Sequence, residues 1–575
     1  MDHQFDVVIR GGLVFDGEGS DPVRADVAIS GGRIAEVGEV SGSGREEIDA
    51  SGKIVTPGFV DIHTHYDAQS TWSHTLCPSS SHGVTTVVMG NCGVGFAPCR
   101  PTDRDELIRL MEGVEDIPGA VMAEGLPWNW ETFPDYMDAI ESVPHDIDLA
   151  VMLAHSPLRV YVMGQRAIEL DAATPEDMEA MSALAADAMR AGALGFSSSR
   201  STAHRTKSGE GIPSHGALEE ELSTIAAGVA TYEDRILEFA TDFGYSDKNV
   251  PAEIGILKRV VQTSGLPMSL SIALANDRPT LAKEIIGELD AAMADGASIK
   301  LQVLGRAVGV HLGHELSLSP FSAMPTYQKV SQLPFEEKIA ELRKAEVRQK
   351  ILDEASGMGD APGMLTNFAN MFALDDALCY EPSTDQSIAA RAKAAGKTSE
   401  EVAYDFLMQR DGRAVLYIPL TSYAEGNLDE MLALMQHDRT LIGLGDGGAH
   451  VGMINDAAYP TFMLTHWTRD RQGPQLSLAW IIKAMTSQSA RAVGLHDRGV
   501  LKPGYKADVN VIDYDNMRLL YPDVLYDLPA GGKRMVQRAR GYAATLVDGS
   551  IIALNDEPTG ATPGRLIRGP QPAPA

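Results

Sequence analysis

At 575 residues, 44% of them hydrophobic, the chain exceeds one ordinary domain and can bury a large core, which excludes disorder as its bulk state. A formal net charge of −31 argues against a nucleic-acid backbone or an anionic membrane surface as partner. Four cysteines are too few for a disulfide framework; with no signal-type leader and no run of roughly 18 apolar residues, a reducing, cytoplasmic setting is the expectation.

In chain order, residues 1–58 read as short strands punctuated by glycine, with Gly11–Gly12 and Gly31–Gly32 placed where hairpins would turn. Apolar strands then alternate with helical stretches, the pattern of a parallel sheet with crossover helices. Eight strands are predicted, over 58–65, 84–92, 147–155, 192–199, 235–243, 267–274, 298–305 and 440–448. Helices are predicted over 174–192 and 251–263 among others. Eight such units fit a (β/α)8 TIM barrel better than an open sheet, spanning 59–494. Residues 306–439 are too long for a plain crossover and form an insertion, of the kind that serves as a lid or offers surface for a homo-oligomer. A second β-rich stretch, 495–555, suggests that the two ends of the chain together build a small β-sandwich. Residues 556–575 follow as an extended, Pro/Gly-rich tail.

In a barrel the chemistry sits where strands end. His63 and His65 close the first strand two residues apart, so alternation turns both imidazoles to the same face, where sharing a cation explains them. Asp446 ends the last strand among glycines, which barrel closure would set beside the first strand. It reads as a metal-binding carboxylate and general base, or else as a helix N-cap. Cys92, ending the second strand, is either a thiolate ligand or a buried apolar thiol. His155, ending the third, is open between ligand, polariser of a substrate carbonyl in catalysis, and packed histidine. The polar loop after the fourth strand offers Arg200, His204 and Arg205 as substrate-binding groups, or is a solvated loop.

Along VIRGGLVFDGEG, TPGFVDIHTHYD, GVTTVVMGNCGVGFAP, LAHSPLRVYVMG, GALGFSSSR, LGDGGAH and TSQSARAVGLHDRGVLKPGYKADVNVID the chain resembles the amidohydrolase superfamily, and within it the D-aminoacylase (N-acyl-D-amino-acid deacylase) family. The resemblance implies a zinc-dependent hydrolase that cleaves the amide of an N-acylated D-amino acid. It implies His63, His65 and Cys92 as metal ligands and Asp446 as ligand and general acid/base. The family also supplies histidines from the fifth and sixth strands, and RILEFATDF and PMSLSIAL hold none. A single Zn2+ is therefore favoured over two, unless His155, Asp242 or another group substitutes. Besides a decarboxylase or ester hydrolase on the same scaffold, since fold does not fix reaction, two alternatives stay open. One is a cyclic-amide hydrolase of the hydantoinase or dihydropyrimidinase type, for which Lys300 is the barrel-strand lysine available for carboxylation. The other is a catalytically silent barrel that has lost its metal.

Overall fold

A computed structural model describes residues 3–241, 243, 249–357 and 363–575. The eight predicted strands are found at Phe59–Asp61, Val84–Met89, Asp148–Ala154, Gly195–Ser199, Ile236–Ala240, Met268–Ser271, Ile299–Val303 and Thr440–Ile442. They form one parallel sheet in sequence order. The sheet curls until its first and last strands meet. There Thr64 bridges Gly447 in parallel, the His65 N–H donates to the Gly447 carbonyl (2.8 Å) and the Asp446 N–H to that of His63 (3.1 Å). Strands buried on both faces read as near-continuous apolar runs, which is why the sequence shows them clearly. Their inward side chains, among them Val60, Ile62, Val88, Ala150, Met152, Leu194, Ile236 and Leu441, pack into a cluster of their own.

The crossover helices carry their boundaries in the sequence. Pro175–Ala191 opens on a capping box, in which Thr174 Oγ1 accepts from the Asp177 N–H and the Asp177 carboxylate accepts from the Thr174 N–H. It stops at Gly192, whose φ of 111° favours a residue without Cβ. Val250–Ser264 likewise begins after Asn249, whose side chain accepts from the Ala252 N–H.

Between the seventh and eighth strands the inserted segment builds its own antiparallel sheet from Gly309–Leu312, Val415–Pro419 and Phe372–Leu374. With its helices it encloses a separate core that includes Phe321, Tyr327, Ile351 and Tyr404. Its helices include Phe335–Leu342 and Ala345–Ser356.

The two ends of the chain share one nine-stranded sheet to which both contribute strands. The junction is Ile54–Pro57 running antiparallel to Val509–Ile512. Gly31–Gly32 turns between strands as expected, but Gly11–Gly12 does not. Strand Phe5–Val14 continues through that pair with a register shift between Ile9 and Gly12, and the positive φ of Gly11 (68°) makes it a bulge. The tail has no helix, yet it is held under the barrel by bridges from Gly564 to His145, Leu566 to Leu149 and Gln571 to Leu495. Ile567 enters the inner cluster from that side.

Candidate metal centre

The first strand ends in Asp61, whose carboxylate accepts from the His63 N–H (3.2 Å) and from the Gly445 N–H of the eighth strand's loop (3.4 Å). This local tie fixes the backbone that carries His63 and His65 against the loop that carries Asp446. The ligand-type atoms of His63, His65 and Cys92 all lie within 4.8 Å of one another, and all three residues are buried. His63 Nε2 is 3.4 Å from Cys92 Sγ and 3.5 Å from Asp446 Oδ1, while His65 Nε2 is 3.6 Å from the same oxygen.

Those spacings have a chemical meaning. Ligands at roughly 2.0–2.3 Å from a tetrahedral zinc stand about 3.3–3.8 Å from each other, a range that includes the His63–Cys92, His63–Asp446 and His65–Asp446 spacings. Asp446 and Cys92 both hold positive φ (49° and 54°), a backbone position that side chains rarely adopt without a local need. The His65 Nδ1 and Glu238 Oε1 atoms are buried without a hydrogen-bond partner. The residues present thus fit a zinc-type cation.

Electrostatics point the same way. Burial pushes His63 down to about 4 and His65 to about 3, so both rings are neutral and free to donate a lone pair. Burial also holds the Cys92 thiol well above its ordinary range, with Glu238, Glu115, Asp446 and Asp67 adding to the effect. Glu115 is raised for the same reason, and Glu238 and Asp67 are pushed up to about 8 and 7. So many buried acids around one point are stabilised in their anionic forms by a cation among them.

Several of these neighbours were not singled out from the sequence. Glu238, on the fifth strand, accepts from the Cys92 N–H through Oε2 (3.0 Å) and sets Oε1 3.7 Å from His63 Nδ1. Gln302, on the seventh, accepts from His63 Nδ1. Glu115 lies between His65 Nδ1 and His450 Nε2, 3.5 Å from each. The acid within the apolar strand ILEFA and the amide in SIKLQV were signals for the first two, and His450 stands within LGDGGAH. Glu115, at the end of helix Arg104–Val114, carried none.

Other expected residues lie elsewhere. His155 begins helix His155–Met163 and has both ring nitrogens engaged, Nδ1 with Ser198 Oγ and Nε2 with Glu221 Oε1, each at 2.8 Å. Both ring nitrogens are thus engaged by protein partners, which supports the packed-histidine alternative. Arg200 pairs with Glu253 through Nη2 (3.1 Å), and Arg205 donates to the Thr202 and Gly209 carbonyls of its own exposed loop. These contacts are what the solvated-loop alternative calls for. At His204, Ser199 Oγ holds Nδ1 at 2.7 Å, and burial, with His215, His65, His450 and His63 nearby, pushes the ring down to about 3. Lys300 lines an outer groove with Gln436, His437 and Lys483, so Lys300 itself is not at this site. Asp242 lies outside the described residues.

The sequence profile described as "Amidohydrolase family" matches residues 46–553. The chain belongs to the amidohydrolase family. It is accordingly a hydrolase of carbon–nitrogen amide bonds other than peptide bonds. This amidohydrolase is 27% identical over 570 residues to the D-aminoacylase of Alcaligenes xylosoxydans xylosoxydans, covering 98% of this chain and 97% of that one. Among solved structures it resembles a D-aminoacylase described as having a binuclear metal centre, with one-metal activation and second-metal attenuation. The TM-score is 0.64 at 24% identity, over 98% of this chain and 100% of that one. An N-acyl-D-glutamate deacylase from Bordetella bronchiseptica, complexed with zinc and a phosphonate mimic of the tetrahedral intermediate, matches with a TM-score of 0.64 at 23% identity, over 98% and 99%. Among the described residues, no helix is long and apolar enough to cross a membrane.

Proposed function

We propose that this amidohydrolase is a zinc-dependent N-acyl-D-amino-acid deacylase whose single catalytic cation is held by His63, His65 and Cys92, with Asp446 as general base. The catalytic unit is a closed (β/α)8 barrel over residues 59–494, and 1–58 with 495–555 form the accompanying β-unit. The observation that carries the reading is the 3.4–3.6 Å spacing of the donor atoms around one buried point. The substrate class rests on the relatives named above. A bound zinc-type cation supplies Lewis acidity and lowers the pKa of a coordinated water toward roughly 7.

The side chains divide the remaining work. His63, His65 and Cys92 are fully enclosed, whereas the Asp446 side chain stays 14% exposed, which suits a group that must meet water and substrate. Asp446 takes a proton from the attacking water and returns it to the leaving nitrogen as the carbon–nitrogen bond breaks. The acyl group then leaves as a carboxylate and the amino acid as a free amine. Glu238 holds the Cys92 backbone in its turned-in position through the Cys92 N–H. With Nδ1 held by Ser199, His204 is suited to donate through its second nitrogen to the amide oxygen as negative charge develops there.

Asp446→Asn keeps the side chain's shape and removes its capacity to accept a proton. Turnover of N-acyl-D-amino acids is expected to fall about 10²–10⁴-fold, with metal content near one per chain by elemental analysis. Full activity in that variant rejects Asp446 as the base. A wild-type chain that holds no metal and hydrolyses none of a panel of N-acyl-D-amino acids, N-acyl-L-amino acids and cyclic amides rejects the enzyme reading as a whole.

A further inference from the structure

Gln302 is completely buried on the seventh barrel strand, beside Ser271 of the sixth and Leu441 of the eighth. A neutral amide in an interior this dry must satisfy its hydrogen-bonding groups locally or cost a few kcal/mol. It does so with two partners that belong to different strands. Its Oε1 lies 2.7 Å from His63 Nδ1, and its Nε2 donates to Ser269 Oγ at 2.9 Å.

This arrangement fixes more than the ring's position. With the amide oxygen facing the imidazole, Nδ1 must carry the proton, and Nε2 is left with a lone pair. That lone pair faces Cys92 Sγ and Asp446 Oδ1. If the amide were reversed, its NH2 would call for an acceptor at Nδ1. The ring proton would then move to Nε2, where it occupies the direction a cation needs. Glu238 Oε1, 3.7 Å from the same Nδ1, favours the same tautomer. The other imidazole of the centre has no equivalent, since Glu115 approaches His65 Nδ1 only to 3.5 Å.

We propose that Gln302 is the positioning residue of the metal centre: anchored by Ser269, it locks His63 in the Nδ1–H tautomer and thereby makes Nε2 the ligand nitrogen. This rests on the reading of His63 as a metal ligand. Gln302 touches neither cation nor substrate in this role, and it acts through the ring alone. Outer partners of this kind typically change metal affinity 10–100-fold when removed.

The test is a zinc titration of the purified, metal-stripped full-length chain against a competing chelator, with thermal unfolding of each stripped protein alongside. Gln302→Met, close in volume but without an acceptor, is expected to weaken zinc binding 10–100-fold. Gln302→Glu, which keeps an oxygen opposite Nδ1, is expected to bind within about threefold of wild type or more tightly. In a His63→Ala background, where no ring remains to be oriented, Gln302→Met is expected to have no further effect, since a coupling confined to the pair vanishes when one partner is gone. Wild-type affinity in Gln302→Met overturns the proposal. So does a further tenfold loss in the His63→Ala background, because that would mark a packing role. Should Gln302→Met fail to fold, a tenfold loss in Gln302→Glu overturns the proposal by itself, and retained affinity supports it. A wild-type chain that takes up no zinc instead removes the metal reading beneath it, an outcome visible before any variant is compared.

Discussion

His155 shows how a residue's chemistry follows from its neighbours and not from its position at a strand end. Its ring bridges Ser198 and Glu221, and Glu221 Oε1 also lies 3.0 Å from Arg159 Nε, so the three form a buried charged group behind the site. Replacing His155 with leucine leaves Glu221 short of a partner in a dry environment. The expected cost is about 2–4 kcal/mol in chemical denaturation, with zinc stoichiometry unchanged. A variant with wild-type stability and no activity would return His155 to the reaction. The spacing of His63 and His65, the glycine-flanked Asp446 and the strand-end Cys92 were legible because each follows from strand periodicity and barrel geometry. Glu115, Glu238, Gln302 and His450 were not, since their roles depend on distances between strands far apart in sequence.

At the level of elements, the eight barrel strands could be read because burial on both faces leaves an apolar signature. The Gly11–Gly12 pair misled because glycine serves a bulge as readily as a turn. The insertion's internal sheet was hidden by strands as short as Phe372–Leu374. How that insertion is fastened to the barrel gives a pH-dependent expectation. Glu381 accepts from His466 Nε2 (2.7 Å), from Arg471 Nε and Nη2 (2.9 and 2.8 Å) and from the Leu428 N–H (2.8 Å). Burial raises its carboxyl, but these donors together outweigh burial and hold it at about 2, below its ordinary 4.5. A folded pKa below the unfolded one contributes stability that is complete above about 4.5 and is lost as pH falls toward 2. Glu381→Gln should therefore be less stable than wild type at pH 7, with the gap narrowing as pH falls through that window. A gap that stays constant in urea titrations from pH 6 to 3 would show that the charge is not what fastens the segment.

For the whole molecule, the tail is the least expected contributor. A Pro/Gly-rich sequence whose regular structure is the short strand Glu557–Pro558 nonetheless supplies Leu566 and Ile567 to the buried interior, and the Arg565 N–H donates to Asp148 Oδ1 at the start of the third strand. Deleting residues 564–575 withdraws both side chains. At about 1.5–3 kcal/mol each, the loss should reach about 3–6 kcal/mol in urea unfolding, while zinc affinity per folded chain is retained. Unchanged stability would mean that the floor of the barrel closes without them.

The pairing of Ile54–Pro57 with Val509–Ile512 also sets a timetable. A ribosome adds roughly 5–20 residues per second, so the early strand waits on the order of half a minute or more for its partner to emerge. Until then its edge is bare, and His63 has no Asp446 to meet. The nascent chain must be shielded over that interval, and its centre lacks the proposed base until most of the chain has been made.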